Sequence, residues 1–280
     1  MVTLLRGGHD ASLEEITTTQ PAPVTEIREE QMQAQHRGTA WQALLDVLLP
    51  PQCRLCGART AGEPVPWVCQ RCWLAITYVV PPICQQCGQP LAAPPEGIAS
   101  STHRCGACLL HPPPYERARA VGLYDGVLRD AIHAMKYQRI YGLVQPLAAL
   151  LHAQFACHWH DAMPEALVPV PLHRSRLRQR EFDQACALAR CLSQDTGIPL
   201  WADVLVRHRR TASQVGLDAT QRRRNVQGAF TIRDSLRCQE KTLLLIDDVY
   251  TTGATARECA RLLRQAGAVR VGIYALARVG

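Results

Sequence analysis

Two groups of residues in this chain have the types and spacing to do chemistry. The first is a set of eight cysteines arranged as four Cys-x-x-Cys pairs: Cys53 with Cys56, Cys69 with Cys72, Cys84 with Cys87, and Cys105 with Cys108. Twelve residues separate the first two pairs and seventeen the last two. One such pair presents two thiolates from a tight turn, and two pairs complete a closed tetrahedral metal site. The pattern predicts two structural zinc ions. Sequential pairing is the preferred arrangement, and a crossed pairing of first with third and second with fourth satisfies the same spacing. Four cysteine ligands leave no position for a zinc-bound water, so these metals are expected to hold structure and not to catalyse. His103 lies two residues before Cys105 and is surplus to a complete set, so it is expected at the surface.

The second group is the run from Leu243 to Thr255, Leu-Leu-Leu-Ile-Asp-Asp-Val-Tyr-Thr-Thr-Gly-Ala-Thr. Its apolar start reads as a strand buried on both faces. That strand is expected to end in Asp247 and Asp248, after which Thr251, Thr252, Gly253, Ala254 and Thr255 open into a helix. Amides at a helix N-terminus, with hydroxyls beside them, form a cradle for a phosphate monoester. Two acids just upstream suit neighbouring hydroxyls, so a phosphorylated ribose fits the window as a unit. The ligand would sit outside the carboxyl end of a strand, where open α/β sheets bind ligands.

Basic residues gather in two further stretches. His173, Arg174, Arg176, Arg178 and Arg180 follow a Val-Pro-Val-Pro-Leu run. Arg207, Arg209, Arg210, Thr211, Gln214, Arg222, Arg223, Arg224 and Asn225 form the second. Between Pro171 and Arg224 eleven arginines face five acids, so this part supplies +6 of the chain's net +7. An anionic partner is expected there, diphosphate or the backbone of a nucleic acid, with Tyr124, Tyr137, Phe182 and Tyr250 available for base stacking. Lys136 and Lys241 are the only lysines, and no Gly-Lys-Ser/Thr run exists, which excludes a Walker-type phosphate loop and argues against a lysine Schiff base.

The elements that must position these groups follow from texture. A chain of 280 residues, 47% apolar and 20% charged, is long enough for two globular units. Residues 1–40 are polar and aperiodic and read as a disordered leader. Trp41, Leu44, Leu45 and Leu48 then share one helical face before Pro50 and Pro51. Residues 41–112 form the small metal-dependent domain, in which zinc does what a core does elsewhere. Residues 113–280 alternate strand and helix patterns, the mark of a mostly parallel α/β sheet. Strands are expected at 118–124, 166–170, 243–246 and 269–276. No apolar run reaches 18 residues and no signal peptide is evident, so a cytoplasmic location without membrane insertion is expected, and reduced thiols favour zinc there. The other cysteines, Cys157, Cys186, Cys191, Cys238 and Cys259, read as small apolar fillers, and His158 and His160 as surface residues.

The window at Asp247 resembles the phosphoribosyl diphosphate motif of type I phosphoribosyltransferases. That resemblance implies that Asp247 and Asp248, the candidate catalytic pair, meet the ribose hydroxyls, and that Thr251 through Thr255 hold the 5′-phosphate. With the cysteine pairs, the Pro-Leu-His-Arg segment, Arg-x-Phe-x-Gln, Gln214 and the Arg222 to Phe230 stretch, the chain resembles the ComF family of competence-associated proteins from about Leu44 onward. Leu123 to Gly126 and Lys136-Tyr137 fall where that family has its opening strand and helix. The resemblance implies a phosphoribosyltransferase-like fold behind a double zinc ribbon, with His173 and Arg174 at the ligand and handling of incoming single-stranded DNA beside other uptake proteins. It also implies an alternative, an active transferase using Mg²⁺-bound phosphoribosyl diphosphate and an unidentified acceptor. Glu181 and Asp183 stand where the family commonly has Gly and Asn. Two added acids are expected to weaken a diphosphate contact.

Overall fold

A computed structural model describes residues 52–60, 67–92, 103–180, 182–211 and 218–280. The expected leader, the Trp41 to Leu49 helix, Glu181 and Gln214 lie outside them.

Each cysteine half-domain begins with a knuckle. Cys53 N–H bonds Ala58 O at 2.7 Å and Gly57 N–H bonds Cys53 O at 2.8 Å; Cys84 to Gln89 and Gly88 to Cys84 repeat the pattern at 2.7 and 2.8 Å. A one-turn helix carries the second pair of each set, α1 (Gln70–Leu74) after Cys69 and α2 (Gly106–Leu110) after Cys105.

The remainder runs β1 (Arg117–Leu123), α3 (Gly126–Tyr137), α4 (Val144–Trp159), β2 (Ala166–Pro169), α5 (Arg174–Arg180), α6 (Gln184–Thr196), β3 (Leu205–Arg207), α7 (Ala219–Val226), β4 (Phe230–Ile232), β5 (Thr242–Tyr250), α8 (Ala254–Gln265) and β6 (Arg270–Arg278). The main sheet has the order β1-β6-β5-β2, and every neighbouring pair is parallel. β3 and β4 form a separate antiparallel pair.

Strand parity divides the core in two. Leu244 and Ile246 of β5 and Tyr274 and Leu276 of β6 join α3, α4 and α6 on one face. Leu243, Leu245, Ile273 and Ala275 join α8, β3 and β4 on the other. Both faces are therefore covered, which explains the unbroken apolar runs of β5 and β6. The exposed edge at β1 is covered too: the chain at Tyr78 pairs antiparallel with Gly122, and Val79 N–H bonds Val121 O at 3.0 Å.

One expectation needs correction. β5 does not stop at Ile246 but runs through both aspartates to Tyr250, because β6 continues to pair with it as far as Arg278. The arginines at every second position after His173 lie on helix α5. At 100° per residue, Arg174 and Arg178 share a face and Arg176 points elsewhere.

Candidate phosphoribosyl site and zinc centres

β2 pairs with β5 only as far as Pro169 opposite Ile246, so Asp247 and Asp248 emerge just beyond the end of the neighbouring strand. Because both remain in strand geometry, their side chains leave opposite faces of the sheet. Asp248 turns to the α3 side and pairs with Lys136 Nζ at 2.7 Å, both side chains largely buried. Asp247 is half-buried on the other side, where it exerts a field on Arg207 and Cys259. Its Oδ1 accepts from the Asp248 N–H at 2.9 Å. Burial, with Asp248 adding to it against the pull of Lys136, pushes the Asp247 carboxyl up to about 8. One aspartate thus has a lysine partner, and its neighbour is charged only at a cost.

The loop after β5 turns through Gly253 at φ +73°, and α8 begins at Ala254. A side chain at Gly253 would need that left-handed angle and would collide with the Tyr250 hydroxyl, so glycine is required on both counts. Arg257 N–H makes the first α8 bond, to Gly253 O at 2.8 Å. The amides ahead of it have no acceptor within the helix, as at any helix start. Thr252 is exposed, Thr251 and Thr255 are half-buried, and Gly253 and Ala254 are buried.

His173 sits at the start of α5, where its Nδ1 accepts from Ser175 N–H at 3.1 Å and meets Ser175 Oγ at 2.8 Å. It caps this helix. Asp183 is likewise occupied: Oδ1 accepts from Cys186 N–H at 3.0 Å and Oδ2 from Leu172 N–H at 3.4 Å. Its carboxylate caps α6 and ties down the loop carrying His173, so it serves the scaffold. Burial pushes its carboxyl up in spite of those bonds.

The basic residues divide by task. Arg174, Arg178, Arg210, Arg223 and Arg224 are exposed, and Arg176 and Arg222 half-buried. Arg209 donates to the carbonyls of Asn225 and Gln227 at 3.1 and 2.7 Å, closing the C-terminus of α7. Asp218 and Gln221 box its N-terminus. Of the aromatics expected to stack on bases, Tyr250 is buried, with its hydroxyl 2.5 Å from that of Tyr115. Phe182 packs on Tyr141 at 4.7 Å, while Tyr137 is exposed. His158 is half-buried, not fully at the surface: burial and the charges of Arg119 and Arg117 push it down to about 4. Cys191, Cys238 and Cys259 are buried as expected, whereas Cys157 is exposed.

The cysteines resolve into sequential sets, Cys53, Cys56, Cys69 and Cys72, then Cys84, Cys87, Cys105 and Cys108, with the four Sγ atoms of each set within 4.8 Å of one another. Tetrahedral zinc with Zn–S near 2.3 Å places sulfurs about 3.8 Å apart. Cys56 to Cys69 spans 3.5 Å and Cys87 to Cys105 spans 3.7 Å. Burial raises the Cys84 thiol, but the amides of Cys87, Cys105 and Gln86 outweigh it and bring it down to about 6. Both sets fit structural zinc, and His103 lies outside them, exposed.

The chain is thus a parallel α/β sheet flanked by helices, with a small-residue loop at the carboxyl end of β5 and a double zinc ribbon of paired Cys₄ knuckles in front. Residues 44–109 match the double zinc ribbon domain family. Competence protein F of Haemophilus influenzae is 34% identical over 178 residues, 62% of this chain and 78% of that protein. DNA utilization protein YhgH of Escherichia coli K12 is 34% identical over 199 residues, covering 69% and 82%. The chain belongs to the ComF family. Competence protein ComFC of Bacillus subtilis matches at 26% over 161 residues, 57% of this chain and 63% of that one. Among solved structures, the allosteric regulatory enzyme of purine biosynthesis overlays at a TM-score of 0.32 and 20% identity, covering 47% of this chain and 25% of that one. Among the described residues, no helix is long and apolar enough to cross a membrane.

Proposed function

We propose that the chain binds phosphoribosyl diphosphate, or a related ribose phosphate, at Asp247, Asp248 and the Thr251 to Thr255 loop, and acts in the cytoplasm on incoming single-stranded DNA during competence. The observation that carries the reading is the junction at the end of β5. A carboxylate that is costly to ionise stands on the strand whose end leads through a short loop into a glycine-initiated helix N-terminus, and ribose hydroxyls and a 5′-phosphate would satisfy both together. His173 orients Arg174, and the exposed arginines of α5 and α7 offer a path for diphosphate or a DNA backbone. If phosphoribosyl transfer occurs, Mg²⁺ travels with the substrate's phosphates. The names of the relatives favour the DNA role over a transferase of nucleotide metabolism.

Ribose 5-phosphate, and phosphoribosyl diphosphate with Mg²⁺, should raise the melting temperature of the protein. Asp247→Asn with Asp248→Asn should abolish that rise; an unchanged rise would refute the assignment. Misfolding is separable from lost binding. Asp247 has its pKa raised by folding, so its ionisation costs stability progressively as pH climbs from about 4 to about 8. Asp247→Asn should therefore stabilise the ligand-free protein, with no gain at pH 4 and the full gain above pH 8.

The DNA reading has its own test. Affinity for an oligothymidylate should fall roughly tenfold or more between 50 and 200 mM salt, and weaken when Arg223 and Arg224 become alanine. Salt-independent binding would exclude a phosphate-led contact.

A further inference from the structure

Arg278, at the end of β6, is 3% exposed. Its Nη1 donates to the Cys87 carbonyl at 2.6 Å, Nη2 reaches Gln89 Oε1 at 3.5 Å, and Nε has no partner among the described residues. Arg119, 9% exposed, reaches the same knuckle across the β1 edge, donating to Gln85 O and to Gln85 Oε1, both at 3.0 Å. Among the described residues, neither arginine is paired with a carboxylate. Two buried guanidinium charges without counter-ions are costly. Four cysteine thiolates around Zn²⁺ carry a net charge of 2−, so a loaded second centre supplies the missing counter-charge, and its knuckle carbonyls supply the acceptors.

Arg278 also touches the end of β5, from which the proposed phosphate loop departs. It is the cross-strand neighbour of Tyr250, and its guanidinium carbon lies 5.5 Å from that ring's centre. The Tyr250 hydroxyl is held by Tyr115 and abuts Gly253, where the proposed phosphate loop turns into α8. Val279 N–H bonds Tyr250 O at 3.0 Å, fixing the backbone of the same residue.

We propose that Arg278 is a positioning residue that couples the second Cys₄ zinc centre to the phosphoribosyl loop, held at the Cys87 carbonyl and acting on Gly253 through the Tyr250 ring. Loss of that zinc removes the bond network that fixes Cys84, Cys87, Cys105 and Cys108 to one another, so the knuckle releases Arg278 and the loop loses its support. The metal then controls the site without touching the ligand. The ligand-binding part of this inference rests on the function proposed above; the coupling itself does not.

The full-length, zinc-loaded protein tests it through Arg278→Met, which keeps an apolar stem and removes the charge, and Arg278→Lys, which keeps the charge and removes the planar fork. Three quantities are measured: zinc release to a metallochromic chelator, amide exchange across Tyr250 to Ala254 without ligand, and affinity for ribose 5-phosphate. Arg278→Met should release one of the two zinc ions at least tenfold faster and leave the other unchanged. It should speed loop exchange at least tenfold and weaken ribose 5-phosphate about tenfold. Arg278→Lys should restore zinc retention but not loop protection, and this variant decides the matter if Arg278→Met does not fold. Trp73→Ala, destabilising but remote from the loop, should leave loop exchange unchanged. Wild-type zinc release and loop exchange in the variants would overturn the coupling. If the unaltered protein fails to bind ribose 5-phosphate while the first two results hold, the proposed function falls and the coupling stands.

Discussion

The two zinc knuckles share a local sequence pattern and fold alike, yet they are joined to the sheet by different forces. The first is plugged in by apolar surface: Cys53, Val68, Cys69, Cys72, Trp73 and Ile76 belong to the core that contains Leu128, Ile132 and Leu143. The second has a separate apolar cluster, whose buried members are Cys84, Cys87 and Cys108. It is held by directed bonds, including Ala118 N–H to Gln86 O at 2.7 Å and Gln86 Nε2 to Tyr115 O at 2.8 Å, besides those of Arg119 and Arg278. Apolar contact is non-directional and roughly proportional to area, so it adds stability while tolerating small shifts. Hydrogen bonds lose strength steeply with angle and distance, so they transmit position. The first ribbon is suited to stabilise the fold, and the second to set the geometry of what lies behind it.

The largest effect that would sharpen this contrast is at Trp73. Truncating a buried tryptophan to alanine costs about 3–5 kcal/mol. Trp73→Ala should show a loss of this size in denaturant unfolding followed by circular dichroism, while both zinc ions are retained. A loss below about 1 kcal/mol would mean that the first ribbon is not anchored through its apolar face, and the contrast would fail.

What was legible in the sequence follows the same division between local and long-range forces. The Cys-x-x-Cys spacing encodes a local turn, so eight ligands and two sites could be read directly, whereas the sequential pairing depends on how the half-domains pack. Strand and helix periods located β1, β2, β5, α8 and β6, because each buries a continuous face. The reading missed the continuation of β5 to Tyr250, which depends on pairing with β6 and not on composition. It also missed Lys136 as the partner of Asp248, since nothing local joins residues so far apart in the chain. The helix over Arg174 to Arg180 has no apolar stripe to mark it in the sequence; it forms because arginine is a good helix former and His173 supplies a cap. Asp183 looked like a charge in the wrong place and is a helix cap, a role that depends on where the backbone turns.

The smallest effect isolates docking from folding, through one glycine in each knuckle. Gly57 follows Cys56 and Gly88 follows Cys87, and both adopt left-handed angles, φ +76° and +71°. Alanine at either position costs about 1–2 kcal/mol from the backbone alone. A Cβ at Gly57 meets nothing within 4 Å, whereas at Gly88 it would lie 2.6 Å from Ala118 O and 3.6 Å from Arg278 Nη1. Ala118 belongs to β1 and cannot give way cheaply, so the second knuckle must lift from the sheet edge. Gly57→Ala should therefore lower the melting temperature by a few degrees without changing zinc release or loop exchange. Gly88→Ala should lower it somewhat further, speed release of one zinc, and loosen Tyr250 to Ala254. Because the two substitutions share the backbone strain, their difference measures the directed contact of the second knuckle with the sheet. Equal behaviour of the pair would show that both ribbons dock alike.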